Sequence, residues 1–217
     1  MVGGFASPAL VKPRLRGVSH QWAFLVAVAL GTTLILLAEG PRARAGASVY
    51  AAGVCGLFGV SALYHRRAWS PAAARWMRRA DHSMIFCFIA ASYTPFALLV
   101  LDGTLALVLL VVVWAGAVAG VVLKLVWLDA PDWLAATLYV LLGWTAVVAG
   151  PAFYAALGPA RLGLLALGGI LYTVGAVIYA RQRPDPLPTV FGYHELFHVL
   201  VIAAAALHFS VIAGVVT

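Results

Sequence analysis

Two histidines near the C-terminal end of the chain have a spacing that suits metal binding. His194 and His198 lie four residues apart at the start of a long apolar segment. On an α-helix, side chains four residues apart share one face and lie a turn from each other. Imidazole pairs of this kind are common ligands of zinc. The pair predicts a helix that offers two nitrogens to a metal ion, and the remaining ligands must come from other segments.

The segments that must position these histidines are long and apolar. Hydrophobic residues make up 64% of the 217 residues and charged residues only 10%, whereas a soluble domain has about 45–50% and about 25%. Seven apolar segments reach the roughly 17–25 residues that a bilayer-spanning helix needs. They are residues 20–38, 47–64, 83–101, 105–125, 133–154, 162–180 and 194–215. The sequence therefore predicts one all-α integral membrane domain over residues 1–217, with seven transmembrane helices.

Two features of these segments have a simpler interpretation than their motifs suggest. Ala43-Arg44-Ala45 resembles a signal-peptidase site, but the apolar segment before it exceeds a typical signal core and Arg42 crowds the site. We therefore expect the first segment to be retained.

Cysteines and closely spaced glycines inside the segments are expected to pack helices against each other. These residues are Cys55, Cys87, Gly53, Gly56, Gly59, Gly116 and Gly120.

The basic residues predict how the chain is oriented in the membrane. The formal charge is +7, but the Lys and Arg residues lie between apolar segments, so they indicate orientation and headgroup contact instead of a nucleic-acid partner. Eleven of the fourteen lie on the side of the N-terminus, and only Arg42, Arg44 and Arg161 lie on the other. Because positive charge stays inside, we expect a cytoplasmic N-terminus and an external C-terminus.

This orientation brings four ionisable residues to one side of the membrane. His65 ends the second segment, Asp81 precedes the third, and His194 and His198 begin the seventh. Ionisable residues at the hydrocarbon boundary are costly and by default mark a functional site. Three neutral imidazoles suit zinc with one position left for water, whose pKa zinc lowers to about 7. Asp81 could hold that water or accept its proton, and Ser61, a turn before His65, could contact the water or a substrate carbonyl.

Simpler roles are open to His65 and Asp81. His65 could be an interfacial residue that reaches toward headgroups. Asp81 could pair with Arg78 or Arg79, or cap the third helix.

Four other polar residues are expected to lie outside the site. His20 and His82 are expected to face the interface. Glu195 points about 100° away from His194 on a helix, and we leave it out of the ligand set. His208 lies about 15 Å deeper than His198, so it either lines a cavity or, by preference, bonds to a neighbouring helix.

The sequence resembles a known family along nearly its whole length. The resemblance rests on four blocks and one shorter motif, whose order and spacing are specific. They are Pro13-Arg14-Leu15-Arg16-Gly17-Val18-Ser19-His20, Ser61-Ala62-Leu63-Tyr64-His65-Arg66, Arg79-Ala80-Asp81-His82, Ser92-Tyr93-Thr94-Pro95-Phe96 and Phe191-Gly192-Tyr193-His194-Glu195-Leu196-Phe197-His198. These blocks are similar to the haemolysin III group of the progestin and adipoQ receptor (PAQR) family.

The resemblance implies a seven-helix fold with a cytoplasmic N-terminus and a zinc ion near the inner face. It implies that His65, His194 and His198 are the zinc ligands, that Asp81 holds the zinc-bound water, and that Ser61 lies beside them. The wider group includes ceramidase-like lipid hydrolases, and bacterial relatives are named for haemolysis and linked to membrane-lipid homeostasis. A bacterial plasma membrane is the expected location.

Three functions follow as hypotheses. The first is a zinc-dependent hydrolase of a lipid amide or ester, with a fatty-acyl or ceramide-like ligand in a cavity between helices. The second is a lipid-sensing receptor in which zinc is structural. The third is a pore-forming haemolysin, which fits poorly because an open pore needs polar residues along its length, and stretches such as residues 108–113 are apolar.

Overall fold

The chain folds into a bundle of α-helices, in a computed structural model that describes residues 12–217. The helices are α1 Val18–Leu37, α2 Gly40–Arg66, α3 Pro71–Leu99, α4 Gly103–Val126, α5 Asp132–Gly143, α6 Gly150–Arg181 and α7 Tyr193–Val216. Between residues 12 and 217 the only β pairing is an isolated bridge that joins Leu187 and Phe191. The predicted all-α membrane fold is confirmed.

Six helical stretches of the described chain are long and apolar enough to cross a membrane. Five of them are α1, α2, α3, α4 and α7, and the sixth is a continuous stretch of 50 residues, Asp132–Arg181. That stretch contains α5, the 3₁₀ segment Trp144–Ala149 and α6. Its helical geometry breaks at Gly158, whose φ of 74° and ψ of 170° lie outside the helical region, and Pro159 follows directly. Glycine adopts this positive φ without the steric cost that a side chain would add.

Two helices begin well before the apolar segments that predicted them. Helix α2 begins at Gly40, not residue 47, and α3 begins at Pro71, not residue 83. Ser70 caps α3, because its hydroxyl accepts a hydrogen bond from the Ala73 N–H at 3.3 Å. The apolar pattern stops at the basic residues. The helix itself continues through them, because its backbone hydrogen bonds do not depend on apolar side chains. Asp81 therefore lies inside α3, and the alternative that it caps this helix is wrong.

Small residues allow the closest approaches between helices. A Cβ placed on Gly53 of α2 would lie 2.5 Å from the Cβ of Ala91 in α3, and one on Gly120 of α4 would lie 2.4 Å from the ring of Phe86. Gly56, Gly59 and Gly116 are equally close to side chains of neighbouring helices. These contacts confirm the packing role expected for the glycines.

A short segment before α1 is tied to the loop before α7. We call residues 13–17 the N-terminal strap. Arg14 N–H donates to the Thr189 carbonyl at 3.0 Å, and Leu15 N–H donates to the Val190 carbonyl at 3.1 Å. Gly17 has a φ of 79°, and a Cβ there would lie 2.6 Å from the Cβ of His65. The strap can pass this close to the end of α2 only with glycine at that position.

Candidate metal centre

Three histidines from two helices form one buried cluster. His65 lies in the last turn of α2, and His194 and His198 lie in the first turns of α7. One ring nitrogen from each lies within 4.8 Å of the others, and the Nε2 atoms of His65 and His194 are 3.2 Å apart. All three residues are at most 8% exposed, so the alternative that His65 reaches toward headgroups is wrong.

The cluster fits a tetrahedral metal ion. At Zn–N distances of 2.0–2.1 Å, two nitrogens of a tetrahedral site lie about 3.3 Å apart, which agrees with the separation between His65 and His194. The third nitrogen, from His198, lies within 4.8 Å of the other two. Within the described chain, Nδ1 of His198 is buried without a hydrogen-bond partner, so the protein alone does not satisfy this ring. A donor set of three imidazoles is one that zinc, among other divalent metals, accepts readily.

Asp81 faces this cluster from α3. Its Oδ2 lies 3.8 Å from Nε2 of His65, and the residue is only 8% exposed. The alternative that Asp81 pairs with a neighbouring arginine is wrong. Arg78 instead forms an ion pair with Asp129 at 2.9 Å, and Arg79 donates to the backbone carbonyl of Leu125 at 3.1 Å. The carboxylate of Asp81 is therefore left to the histidine cluster.

His20 packs against this cluster, contrary to the interfacial position expected for it. The residue is 3% exposed. Its ring stacks on that of His198, and its Nδ1 forms a hydrogen bond of 2.9 Å with the hydroxyl of Ser61. Ser61 in turn lines the same cavity as Asp81. Hydropathy predicts the depth of His20 in the membrane but not the direction in which its side chain points. The only sequence signal that His20 could join the site was its position on the same side of the membrane.

The two remaining histidines also face the interior of the bundle. His82 lines a cavity between helices, so the expectation that it faces headgroups is wrong. His208 lies with Nε2 at 3.1 Å from the Leu165 carbonyl of α6, which confirms the expected bond to a neighbouring helix. His208 lines the same cavity, so both roles considered for it are present.

Glu195 lies outside the ligand set, as expected, but it anchors the start of α7. One carboxylate oxygen pairs with the guanidinium of Arg16 in the strap, and the other accepts from the Gly192 N–H at 2.8 Å. The Tyr193 N–H donates to the carboxylate of Asp185 at 2.8 Å. The first turn of α7, which carries His194, is thus held by two carboxylates. The pairing of Arg16 with Glu195 was not predicted, because basic residues before the first helix were interpreted only as signals of membrane orientation.

A cavity of about 410 Å³ opens onto the cluster from inside the bundle. Ser61, Asp81, His194 and His198 line its polar end, and apolar side chains line most of the rest. Ligand sites of this size are usually mostly apolar with a few polar groups that fix orientation. The arrangement suits a molecule with a long apolar chain and a reactive group beside the histidines.

A second, smaller pocket lies on the other side of His65. It has a volume of about 300 Å³, and Lys12, Arg16 and Arg67 line it. The Lys12 ammonium donates to the backbone carbonyl of His65. Burial and the positive charges of Arg16 and Arg66 lower the pKa of Lys12. Basic residues therefore line a pocket directly beside His65.

Comparisons with known proteins point to one family. Residues 9–209 match the family model described as haemolysin-III related. Over 129 residues the chain is 39% identical to the hemolysin-3 homolog of Bacillus subtilis and 35% identical to hemolysin-3 of Bacillus cereus. Each match covers 59% of this chain, 58% of the first relative and 56% of the second. The matched stretch thus spans less than two thirds of either bacterial relative.

A human relative matches over a greater length. The chain is 27% identical to the human monocyte to macrophage differentiation factor over 199 residues. That match covers 89% of this chain and 80% of the human protein. The family model, matched over residues 9–209, includes the strap, all three clustered histidines and Asp81.

Proposed function

The chain belongs to the haemolysin-III-related family of PAQR proteins, and from this premise we propose that it is a zinc-dependent hydrolase of lipid amides or esters. One observation carries the proposal. Three buried histidines and a buried carboxylate meet at the polar end of an apolar cavity. A zinc ion held by His65, His194 and His198 would be the Lewis acid, which activates water and polarises a carbonyl.

Asp81 supplies the proton transfer in this proposal. Hydrolysis adds a water oxygen to the acyl carbon and breaks the bond from that carbon to the amide nitrogen or ester oxygen. Asp81 takes a proton from the attacking water and returns it to the leaving group, which is general base and then general acid catalysis. Its nearest histidine nitrogen is 3.8 Å away, so its carboxylate is close enough to the cluster to reach a water held there.

Ser61 and His20 position the reacting groups. The Ser61 hydroxyl lies in the cavity wall and is fixed by its 2.9 Å bond to His20. From there it can bond the substrate carbonyl oxygen or the attacking water. His20 acts through Ser61 and through its stack on His198, so it is a positioning residue.

The cavity sets the substrate class. Aromatic and aliphatic side chains from α3, α5 and α6 line it beyond the cluster, including Phe96, Phe153 and Leu162. A fatty-acyl chain buried there would leave its carbonyl at the polar end and exclude bulk water from the reaction. The substrates we propose are therefore membrane lipids with an acyl amide or ester, ceramide-like ones among them, and a role in membrane-lipid homeostasis follows.

A lipid-sensing receptor with structural zinc is the second candidate, and one distance favours it. With Oδ2 only 3.8 Å from His65, a modest movement would make Asp81 a fourth ligand. A site closed by four protein ligands is typical of structural zinc. A pore is the weakest alternative, because α4 presents apolar residues such as Val108, Val111 and Val112 on its exposed surface.

We also propose that seven segments cross a bacterial plasma membrane. The stretch Asp132–Arg181 would measure about 75 Å as one helix, more than twice the roughly 30 Å hydrocarbon thickness. The break at Gly158 and Pro159 divides it into two segments of spanning length. With the basic residues inside, the histidine cluster lies near the cytoplasmic face.

The experiment that tests the function is an assay of fatty-acid release. Purified protein with zinc would be incubated with ceramides, other acyl amides and acyl esters in nanodiscs, and released fatty acid measured by mass spectrometry. The hydrolase predicts slow release from at least one lipid class, abolished by a chelator and restored by zinc. If no lipid in the panel releases fatty acid, the receptor with structural zinc is the better interpretation.

A further inference from the structure

A lysine is buried in the wall of the cavity without a partner. Lys124, in the last turn of α4, is only 1% exposed and lines the 410 Å³ cavity. Among the described residues its ammonium forms no hydrogen bond or ion pair. A buried ammonium without a partner is strongly unfavourable. The N–H donors of Lys124 therefore lack an acceptor within the described part of the chain.

Two carboxylates lie near Lys124, but neither bonds its ammonium. Asp129 and Asp132 are the acidic groups whose charges act on Lys124. Asp129 pairs with Arg78 at 2.9 Å, and Asp132 accepts from the side-chain amide of Gln182 at 3.4 Å. Neither lies within 4.0 Å of the Lys124 ammonium. Asp132 also lines the cavity, but its carboxylate does not reach the ammonium, so the N–H donors of Lys124 are open to an acceptor that enters the cavity.

A second unpartnered group lies opposite Lys124. Gly120 of α4 packs directly on Phe86 of α3. One turn onward along α4 and one turn back along α3, Lys124 stands across from His82. The Nδ1 atom of His82 is buried without a hydrogen-bond partner within residues 12–217. Both side chains line the cavity, and the charge of Lys124 acts on His82, so the two groups lie near each other in its wall.

We propose that Lys124 and His82 form an anion subsite for the carboxylate of a single-chain amphiphile, with its alkyl chain in the apolar part of the cavity. Lys124 is the cation of this subsite, because Arg78 pairs with Asp129 and the guanidinium of Arg79 is directed to the Leu125 carbonyl. Asp132 in the same cavity wall offsets part of the Lys124 charge. One positive charge matches a monoanionic carboxylate better than a dianionic phosphate. The subsite is distinct from the histidine cluster, although His82 follows Asp81 in α3. It stands whether or not the protein is a hydrolase.

The test compares three ligands that share one chain length: palmitate, 1-hexadecanol and hexadecyl phosphate. Each would displace a fluorescent alkyl probe from the full chain in nanodiscs, after zinc has been removed with a chelator. Metal removal matters because a bound zinc ion could itself attract a carboxylate. We expect palmitate to bind about 10- to 100-fold more tightly than 1-hexadecanol, the range of a charge-assisted hydrogen bond.

Variants then assign the preference to Lys124. Lys124→Met keeps a flexible side chain without charge and should lose the preference for palmitate while leaving 1-hexadecanol binding unchanged. Lys124→Arg should keep the preference. The matched control is Arg75→Met, which removes one exposed positive charge from the same end of the bundle and should change nothing. If Lys124→Met does not fold, Lys124→Gln replaces it.

Several outcomes would overturn the proposal. Equal binding of palmitate and 1-hexadecanol by metal-free wild type would remove the anion subsite. If Lys124→Met still prefers palmitate to 1-hexadecanol, the carboxylate binds somewhere other than Lys124. If wild type shows this preference only when zinc is bound, the carboxylate binds the metal. If hexadecyl phosphate binds more tightly than palmitate, the subsite recognises a phosphate group and the proposed carboxylate ligand is wrong. Hydrolysis is not measured, so failure of the hydrolase proposal leaves these results unaffected.

Discussion

The imidazole of His20 lies face to face with that of His198, with ring centroids 3.7 Å apart and planes 9° from parallel. The first residue is in α1 and the second in α7, so the contact joins two helices far apart in sequence. His20 also bonds the Ser61 hydroxyl on α2. A single side chain from α1 therefore fixes the orientation of one clustered histidine and of the serine beside Asp81.

This relationship predicts that His20 and Ser61 act as one unit. His20→Phe keeps a flat ring for the stack but removes the nitrogen that bonds Ser61. Loss of a group that orients a metal ligand typically costs about 10- to 100-fold in affinity, so zinc affinity should fall by that factor. Ser61→Ala should give a similar loss and the double variant no more than either, because all three remove the same hydrogen bond. Competition with a chromophoric chelator measures this, and additive losses would contradict it.

Purified protein should contain about one zinc per chain. His194→Ala combined with His198→Ala removes two of three clustered nitrogens and should abolish binding, as measured by elemental analysis. His208→Ala is the matched control, because this histidine contacts the Leu165 carbonyl and lies outside the cluster. Equimolar zinc in the double variant would show that the metal binds elsewhere.

Asp81 should matter more for turnover than for metal retention. In the hydrolase proposal Asp81→Asn keeps its shape and retains zinc, but it can no longer accept a proton, so fatty-acid release should nearly vanish. His65→Ala should lose both metal and activity. Zinc content and release rate would be measured on the same samples. Wild-type rates in Asp81→Asn would mean that the activity arises from another group, and loss of zinc from that variant would favour Asp81 as a structural ligand.

The pair between Arg16 and Glu195 should be a principal stabilising contact of the site. The Glu195 side chain is 2% exposed, so Arg16→Met leaves a buried carboxylate without its cation. Breaking one side of a buried pair costs about 3–5 kcal/mol, which equilibrium unfolding in detergent would measure. Adding Glu195→Gln should recover part of the loss. Arg14→Met, at an exposed position of the same strap, should have little effect, and equal destabilisation by both arginine variants would contradict the pairing argument.

The proposed orientation can be tested by cysteine labelling in a variant without Cys55 and Cys87. A cysteine at Arg75 should be protected from impermeant thiol reagents in intact cells, and one placed after Val216 should be labelled. The same pattern of seven crossings requires a cysteine at Arg161, beyond the Gly158 break, to be labelled. Protection at Arg161 would show that Asp132–Arg181 does not cross twice.

Charge and spacing were enough to predict that His65, His194 and His198 meet. The i, i+4 pair in α7 fixed two nitrogens on one face, and the distribution of basic residues brought His65 to the same side. The first signal depends only on the spacing of neighbouring residues, and the second only on counting charges between segments. Both can therefore be obtained from a single sequence. The all-α membrane fold was predictable for the same reason, since runs of apolar residues need no tertiary contacts to be recognised.

The rotation of each helix about its axis could not be predicted. His20, His82 and Lys124 all lie at depths where an interfacial side chain is plausible, and hydropathy is the same whether they face lipid or the bundle. The helix starts at Gly40 and Pro71 were missed because basic residues end the apolar pattern but not the helix. The strap was missed because its backbone bonds to Thr189 and Val190 depend on a loop far away in sequence.

The contacts of His20 and Arg16 with α7 have a consequence for biosynthesis. Helix α1 leaves the ribosome long before α7, and the residues around the candidate metal centre come from both. Neither the His20–His198 stack nor the Arg16–Glu195 pair can form until α7 has been inserted beside α1. An ion that needs His65, His194 and His198 together therefore finds no complete site on a nascent or truncated chain, and its capture would coincide with the final step of assembly in the membrane.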